Sequence, residues 1–448
     1  MSVKIVIIGA GSGFGGRLSL DILSRENLQD VTIALCDLHE GRLSRVLSYV
    51  QQTIDHYQLP AKVIADTDRT RLLPGADFVI TSIATGGGAY YGHPYNDEIE
   101  IPRAFGIDQS VGDTTSIGAI FRFLRTGPVQ LQILRDMEKY CPDALLLNHT
   151  NPMAMLCWLH GHMTSIKSVG LCHGIIGTNH IVCDYLGLDP DLARYKVAGI
   201  NHLAWFLEWR HGDQDVYKLL RDKLADGDHE KTKQFLIDES VRVEIFQKFG
   251  YFPTESNRHD SEYLPYWRKN RMTREQYHLT ERVLTEAFSG KRDWMPDGEG
   301  HVTYGEIVRS HEYTSGIIEG VLTDVPYRFN GNVLNTGLIS NLPDGCCVEV
   351  PCFADSHGIN PTSVGALPSV LAHLDHSNIV VQEQAVAAVM HRDKEMAFHA
   401  CALDPNAAAL LTLPQIRTLF EKMWQAEEKH LKWFDPKHSG PVPEYFAP

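Results

Sequence analysis

The stretch Val3 to Gly13, VKIVIIGAGSG, decides the fold. An apolar strand, Lys4 to Ile8, runs straight into the turn Gly9-Ala10-Gly11-Ser12-Gly13 and then into a helix. Glycines at such a turn let the backbone approach a pyrophosphate, which then rests on the helix N-terminus. Phe14 stands where the third glycine of GxGxxG would fall. Asp37 ends the second expected strand, 22 residues past Gly15. A carboxylate there accepts the ribose hydroxyls of NAD and disfavours the extra phosphate of NADP. A glycine turn without a ligand, or an Asp37 that merely caps a helix, is the competing reading. Strand, turn, helix and acid in register favour the cofactor.

Working outward, short apolar runs alternate with helix-length amphipathic ones: a helix from Arg17 to Ser24, a strand from Val31 to Leu35, a helix from Arg42 to His56, a strand from Phe78 to Ile83. A helix from Gly127 to Tyr140 and strands at Ala144 to Leu147 and Ser168 to Leu171 continue the series. Such alternation predicts βαβ units in an α/β, doubly wound parallel sheet of Rossmann type. From about Val197 the pattern changes to GINHLAWFLEW, then a charged, helix-rich stretch through 290. The segment VLNTGLISNLPDGCCVEVPC then predicts antiparallel strands around a Pro/Gly turn. We therefore expect a dinucleotide-binding domain over 1–196 and a second, mixed α/β domain over 197–448, ending in a helical tail from Gln382 to Lys432.

With 448 residues, 43% of them hydrophobic, the chain can bury a large core. Its 41 basic and 56 acidic residues give a formal charge of −15, and no dense Lys/Arg run offers a footprint for nucleic acid. No apolar stretch approaches the roughly 20 residues of a membrane span. Nine cysteines are scattered without a CxxC pair, which fits reduced thiols and a cytoplasmic location.

Polar clusters follow the later strands. Cys172-His173 ends one, and Asn201-His202 comes some thirty residues on. Thiolate plus imidazole suits a soft to borderline divalent metal with positions left for substrate oxygens. A buried Cys and a satisfied His are commoner than a metal pair, and spacing alone leaves both open. Asn148 and Asn151 carry amides able to bind sugar hydroxyls, while Asn151-Pro152 equally suits a turn.

Taken together, VKIVIIGAGSG, LLLNHTNPMAM, VGLCHG, VAGINHLAWFLE, KFGYFPTESNRHDSEYLPYW and GNVLNTGLISNLPDGCCVEVPC resemble glycoside hydrolase family 4 over nearly the whole chain. These are NAD- and manganese-dependent glycosidases related in fold to lactate and malate dehydrogenases, and the likeness is nearest to the α-galactosidase (melibiase) branch. The resemblance implies NAD and Mn²⁺ as cofactors, Cys172 and His202 as metal ligands, Asn151 as a sugar contact, Tyr263 as catalytic base and His173 as acid. It also implies a homodimer or homotetramer acting on a small sugar substrate. The implied chemistry oxidises the sugar at C3, removes the C2 proton, expels the C1 substituent, adds water and returns the hydride. No pair of carboxylates is needed, unlike in most glycosidases. A phenol of ordinary pKa about 10 needs a nearby cation to act as base at neutral pH.

The sequence departs from the galactosidase branch at three places. CHG replaces CHS after the metal cysteine, IATGGGAYYGHPYNDE replaces FQIGGYEP-like text, and ESNRH replaces ESSEH. Arg258 directed inward would pair with a carboxylate and favour a uronide, whereas directed outward it is a solvated charge. The phospho-glycosidase branch usually places Asn or Asp where this chain has His173. An α-galactoside is the expected substrate, with α-uronides and α-glucosides of the same family as alternatives. The rival class is an NAD-dependent 2-hydroxy acid dehydrogenase, which has no use for Cys172 and His202. A non-catalytic NAD sensor would leave the polar clusters at the strand ends unexplained.

Overall fold

Strands covered by helices on both faces read as continuous apolar runs, and those near the N-terminus do. In the computed structural model, which describes residues 3–87, 92–282, 284, 303–435 and 437, Ile5, Val6 and Ile7 are fully buried. They lie in β1 (Lys4–Ile8), which runs parallel to β2 (Thr32–Cys36), β3 (Lys62–Asp66), β4 (Phe78–Thr81), β5 (Leu145–Asn148) and β6 (Ser168–Gly170). Their spatial order, β3-β2-β1-β4-β5-β6, is that of a dinucleotide-binding sheet built from two βαβαβ halves.

The sheet does not stop there. β7 (Ala193–Ile200), β8 (Leu203–His211), β9 (Gln214–Asp215), β10 (Tyr327–Leu334), β11 (Cys347–Asp355) and β12 (Gly358–Pro361) extend it with antiparallel pairs. Beyond β6 the order is β10-β11-β7-β8-β9, with β12 on β11. One hydrogen-bonded surface therefore joins the two halves of the chain, and β7 runs across position 196. β10 and β11 are the antiparallel pair expected around the Pro343-containing turn.

Among the elements that escape a reading of the sequence, two have a plain physical reason. β3, with half-exposed residues KVIAD, is the edge strand and lacks an apolar face long enough to announce itself. The helix Ser116–Tyr140 starts eleven residues before Gly127 because every residue from Ser116 to Pro128 is buried. A helix covered all round shows no polar stripe, so periodicity cannot find its first half. Residues 88–91 of IATGGGAYYGHPYNDE and 283 and 285–290 of the helix-rich stretch lie outside the described residues.

That buried helix carries charge. Arg125 donates from Nε to Thr85 O at 2.9 Å and from NH1 to Glu427 Oε2 at 2.9 Å, and it also pairs with Glu98. Arg122 reaches the same Glu98 from Nε at 3.0 Å. The network ties the C-terminal helix Leu413–Glu427 to the loop after β4, and the side chains of Arg125, Glu98 and Glu427 are fully buried. Removing one partner of such a network strands the others. Glu98→Ala should lower stability by about 3–5 kcal/mol, read as a shifted urea midpoint.

Candidate functional site

At the cofactor end, steric demand explains each glycine that matters. Gly9 has φ +86°, and a Cβ there would lie 2.1 Å from Ser82 O. A Cβ on Gly15 would meet Ala10 O at 1.8 Å. Gly15 thus performs the close helix-to-strand packing of the missing third glycine, one position later than GxGxxG. Ser12 caps the helix Gly13–Leu23, its Oγ accepting from Phe14 N at 3.3 Å. Asp37 faces this turn: its Oδ2 accepts from Gly11 N at 2.7 Å and its Oδ1 from His39 N at 2.9 Å. The cap of the next helix is His39, so Asp37 is not spent as a helix cap.

A second constellation forms farther along the same sheet. Cys172 follows β6 and precedes the helix Gly174–Leu186, and Gly174 N donates to its Sγ at 3.4 Å. Asn201 and His202 form the two-residue turn between β7 and β8. His202 has φ +63°, the left-handed value a type II turn requires at its second central residue, where glycine is preferred. Glu255, at φ +71°, completes the group. The ligating atoms of Cys172, His202 and Glu255 lie within 4.8 Å of one another. Cys172 Sγ is 3.3 Å and His202 Nε2 3.5 Å from Glu255 Oε1.

The imidazole is prepared for a cation. Thr114 donates its hydroxyl proton to Asp113 Oδ1 at 2.6 Å, so the same oxygen, 3.1 Å from His202 Nδ1, must accept. His202 then carries its proton on Nδ1 and turns the Nε2 lone pair to the cluster. Burial pulls its pKa down to about 4, which keeps it neutral. Burial and then Glu255 and Glu349 push the Cys172 thiol well up. Burial and Glu255 raise Glu349 to about 8, and its Oε1 has no hydrogen-bond partner among the described residues. Burial opposes ionisation of Glu255 too, but the imidazoles around it, with the pKa of His259 raised to about 9, outweigh it and hold the acid at about 2. A divalent cation among these groups relieves the crowding of thiol and acids, and sulfur, nitrogen and oxygen donors together suit a borderline ion.

The remaining expected residues fall around this core. Asn151 donates from Nδ2 to Asp113 Oδ2 at 3.2 Å. Asn148 is fully buried and spends its amide inside the fold, on Thr81, Thr150 and Gln130. Tyr263 ends the helix Asn257–Tyr263, is fully buried, and donates to Asn201 O at 2.9 Å. Burial, then Asp113, Glu255 and Cys172, push its phenol well above the ordinary value, so a base at this position depends on a cation nearby. His173 stands at the N-cap position of the helix after Cys172 without a side-chain capping bond, its Nδ1 3.3 Å from Glu312 Oε1. That contact raises its pKa. Arg258 is exposed.

Sequence reasoning missed Asp113, Thr114, Glu255, His259, Glu262 and Glu349. Glu255 and His259 sit four apart in ESNRH, a visible hint, and His259 Nδ1 stands 3.4 Å from Glu255 Oε2. Asp113 lies in a loop that nothing in its composition marks. The loop is built by Glu262, whose buried carboxylate accepts from Ser110 N, Val111 N and Gly112 N at 2.6, 2.8 and 2.9 Å. Short contacts join the two constellations: Ser12 Oγ to Ser82 Oγ at 3.1 Å, then Ile83 N to Thr150 Oγ1 at 3.0 Å, next to Asn151.

The profile of family 4 glycosyl hydrolases matches residues 4–188, and that of the family's C-terminal domain matches residues 197–407. This chain belongs to glycosyl hydrolase family 4. An alpha-galactosidase of Bacillus subtilis strain 168 is 36% identical to this family 4 chain over 452 residues, covering 99% of each. An alpha-galactosidase of Rhizobium meliloti strain 1021 is 35% identical, covering 96% of this chain and 89% of its own. An alpha-galacturonidase of Thermoanaerobacter italicus is 28% identical, with 96% and 97% covered. Among solved structures, a candidate glucosidase of Bacillus subtilis has a TM-score of 0.79 at 26% identity, covering 94% of this chain and 99% of that one. A 6-phospho-beta-glucosidase of Thermotoga maritima, solved with manganese, NAD+ and glucose-6-phosphate, has 0.75 at 19% identity, with 96% and 99% covered. Malate dehydrogenase of Plasmodium falciparum, at 0.53 and 12% with 89% and 99% covered, shares the fold. This family 4 member is thus a glycoside hydrolase on a Rossmann-type sheet. Among its described residues no helix is long and apolar enough to cross a membrane.

Gly174 is where the cluster is most easily disturbed, because a Cβ there would fall 1.9 Å from Glu255 Oε1. Gly174→Ala should displace that carboxylate and weaken Mn²⁺ binding roughly 10-fold or more, measured by equilibrium dialysis.

Proposed function

We propose that this family 4 enzyme hydrolyses α-galactosides with NAD and Mn²⁺ as resident cofactors. The observation that carries this is the convergence of Cys172, His202 and Glu255 at the end of the sheet that also bears the glycine turn and Asp37. Similarity adds the sugar: the alpha-galactosidases are 36% and 35% identical, the alpha-galacturonidase 28%. The exposed Arg258 gives no support to an anionic substrate.

The glycine turn and the N-terminus of the helix Gly13–Leu23 receive the pyrophosphate, and Asp37 accepts the ribose hydroxyls. Cys172 and His202, with Glu255, hold the ion. When bound, NAD supplies a hydride acceptor and the ion supplies positive charge opposite developing negative charge on sugar oxygens. Asn151 donates to a sugar hydroxyl, while Asn148 holds the loop that presents it. Tyr263 Oη takes the C2 proton, and His173 gives a proton to the departing glycosidic oxygen. We assign cofactor binding to 1–196 and oligomer contacts to 197–448, with the ion and sugar site shared: Cys172, Asn151 and His173 come from the first part, and His202, Glu255 and Tyr263 from the second. The nine unpaired cysteines support a reducing, cytoplasmic setting. A homodimer or homotetramer is the assembly implied by the resemblance.

Turnover of 4-nitrophenyl α-galactoside, with NAD and Mn²⁺ present and no net NADH, is the expected outcome. Turnover of α-galacturonide or α-glucuronide alone would overturn the galactoside assignment, and steady NADH release would favour a dehydrogenase. Asp37→Ala should weaken NAD binding about 10- to 100-fold, the loss of a charge-assisted hydrogen bond, and narrow the preference over NADP in a fluorescence titration.

A further inference from the structure

Glu312 belongs to no role assigned so far. It lies in the HEYTSG segment just before the helix Thr314–Thr323, 139 residues from His173 in sequence. Its side chain is only 2% exposed, yet Oε1 has no hydrogen bond of ordinary geometry. A buried carboxylate oxygen left without a donor is costly. His173 Nδ1 faces it at 3.3 Å, with the Arg17 NH2 group farther off at 3.8 Å and the buried His149 ring, whose pKa burial lowers to about 4, also within electrostatic reach. His173 itself has a side chain 59% exposed, so this acid is its anchor to the folded body. Arg17 comes from the helix that begins at the glycine turn.

We propose that Glu312 is a positioning residue for His173, fixing the imidazole with Nδ1–H towards the carboxylate so that Nε2 delivers the proton to the leaving oxygen. An imidazole held at one nitrogen by a carboxylate has both its tautomer and its ring plane set. In the step served, the electron pair left at C2 by proton removal becomes the C1=C2 bond. The C1–O pair departs with the aglycone oxygen, and that oxygen takes the proton from Nε2. The N–H pair stays on the ring, which ends neutral with Nδ1–H still facing Glu312. Rigid placement matters here because the ring is otherwise free in solvent, and a wandering acid loses most of its advantage.

The inference rests on the galactosidase assignment and on His173 as acid, and the test separates the three. Full-length enzyme loaded with NAD and Mn²⁺ is assayed on methyl α-galactoside, whose leaving group needs a proton, and on 4-nitrophenyl α-galactoside, whose leaving group needs little help. Glu312→Gln should lower kcat on the methyl glycoside about 10- to 100-fold, the range for removing a group that orients a ligand, with a several-fold smaller loss on the nitrophenyl substrate and little change in KM. Glu312→Asp should show the same contrast in weaker form, and it serves as the decisive variant should Glu312→Gln not fold. His173→Asn should show the contrast at full strength. Equal losses on both substrates, or none, in the Glu312 variants while His173→Asn discriminates would overturn the role of Glu312 alone. No discrimination in His173→Asn would overturn the acid assignment and the proposal with it. Absence of wild-type turnover on either galactoside would remove the substrate assignment and the proposal together.

Discussion

A carboxylate buried beside a thiol organises the end of this sheet. Glu255 is packed 3.3 Å from Cys172 Sγ and 3.5 Å from the neutral His202 Nε2, and its charge is offset by the His259 imidazole, 3.4 Å away with its pKa raised to about 9. Geometry is bent to allow this. His202 and Glu255 both adopt left-handed backbone, at about 1–3 kcal/mol each, and position 174 has surrendered its Cβ. Strain of that size persists only where the surrounding structure over-determines it, and here the β7–β8 hairpin and the buried helix Asn257–Tyr263 do so. Thr114, positioned through the Glu262-bound loop, fixes the remaining freedom of His202.

Legibility in the sequence followed the range of the interactions involved. The glycine turn was readable because its constraint is local: Gly9, Gly11 and Asp37 act within one βαβ unit. Even the departure at Phe14 proves local, since Gly15 supplies the close approach one residue later. Cys172 and His202 were not derivable from spacing. Their strands β6 and β7 are separated in the sheet by β10 and β11, which come from residues 327–355. A pairing that depends on chain inserted more than a hundred residues downstream leaves no periodic trace, so resemblance had to supply it. Asp113 and Glu349 were silent for the same reason, while Asn148 had the right chemistry and turned it inward.

The continuity of the sheet gives the site its rigidity. Cofactor turn and cation cluster stand on strands of one hydrogen-bonded surface, so their separation is set by strand spacing instead of by a linker between two bodies. The contacts that bridge them are short and polar, running from Ser12 through Ser82 and Ile83 to Thr150 and Asn151, and on to Asp113. A reaction needing a nicotinamide and a cation on neighbouring atoms of one sugar tolerates little error in that distance. The parallel strands supply the first half of this arrangement, and the antiparallel extension through β10, β11, β7 and β8 supplies the second.

The departures from the galactosidase pattern then carry unequal weight. Arg258 is exposed, away from the buried face of its helix that carries Asp260, Ser261 and Glu262, and a charge in water says little about what the cleft binds. Gly174 is different, because a side chain there would collide with Glu255 itself. CHG in place of CHS therefore speaks about how the acid sits against the thiol, a property of the ion site, before it speaks about the sugar. Substrate preference must come instead from groups that reach the sugar, and Asn151, Asp113 and His259 form the polar wall nearest the cluster. That wall holds both an amide and an acid–imidazole pair, groups that donate to and accept from neutral hydroxyls.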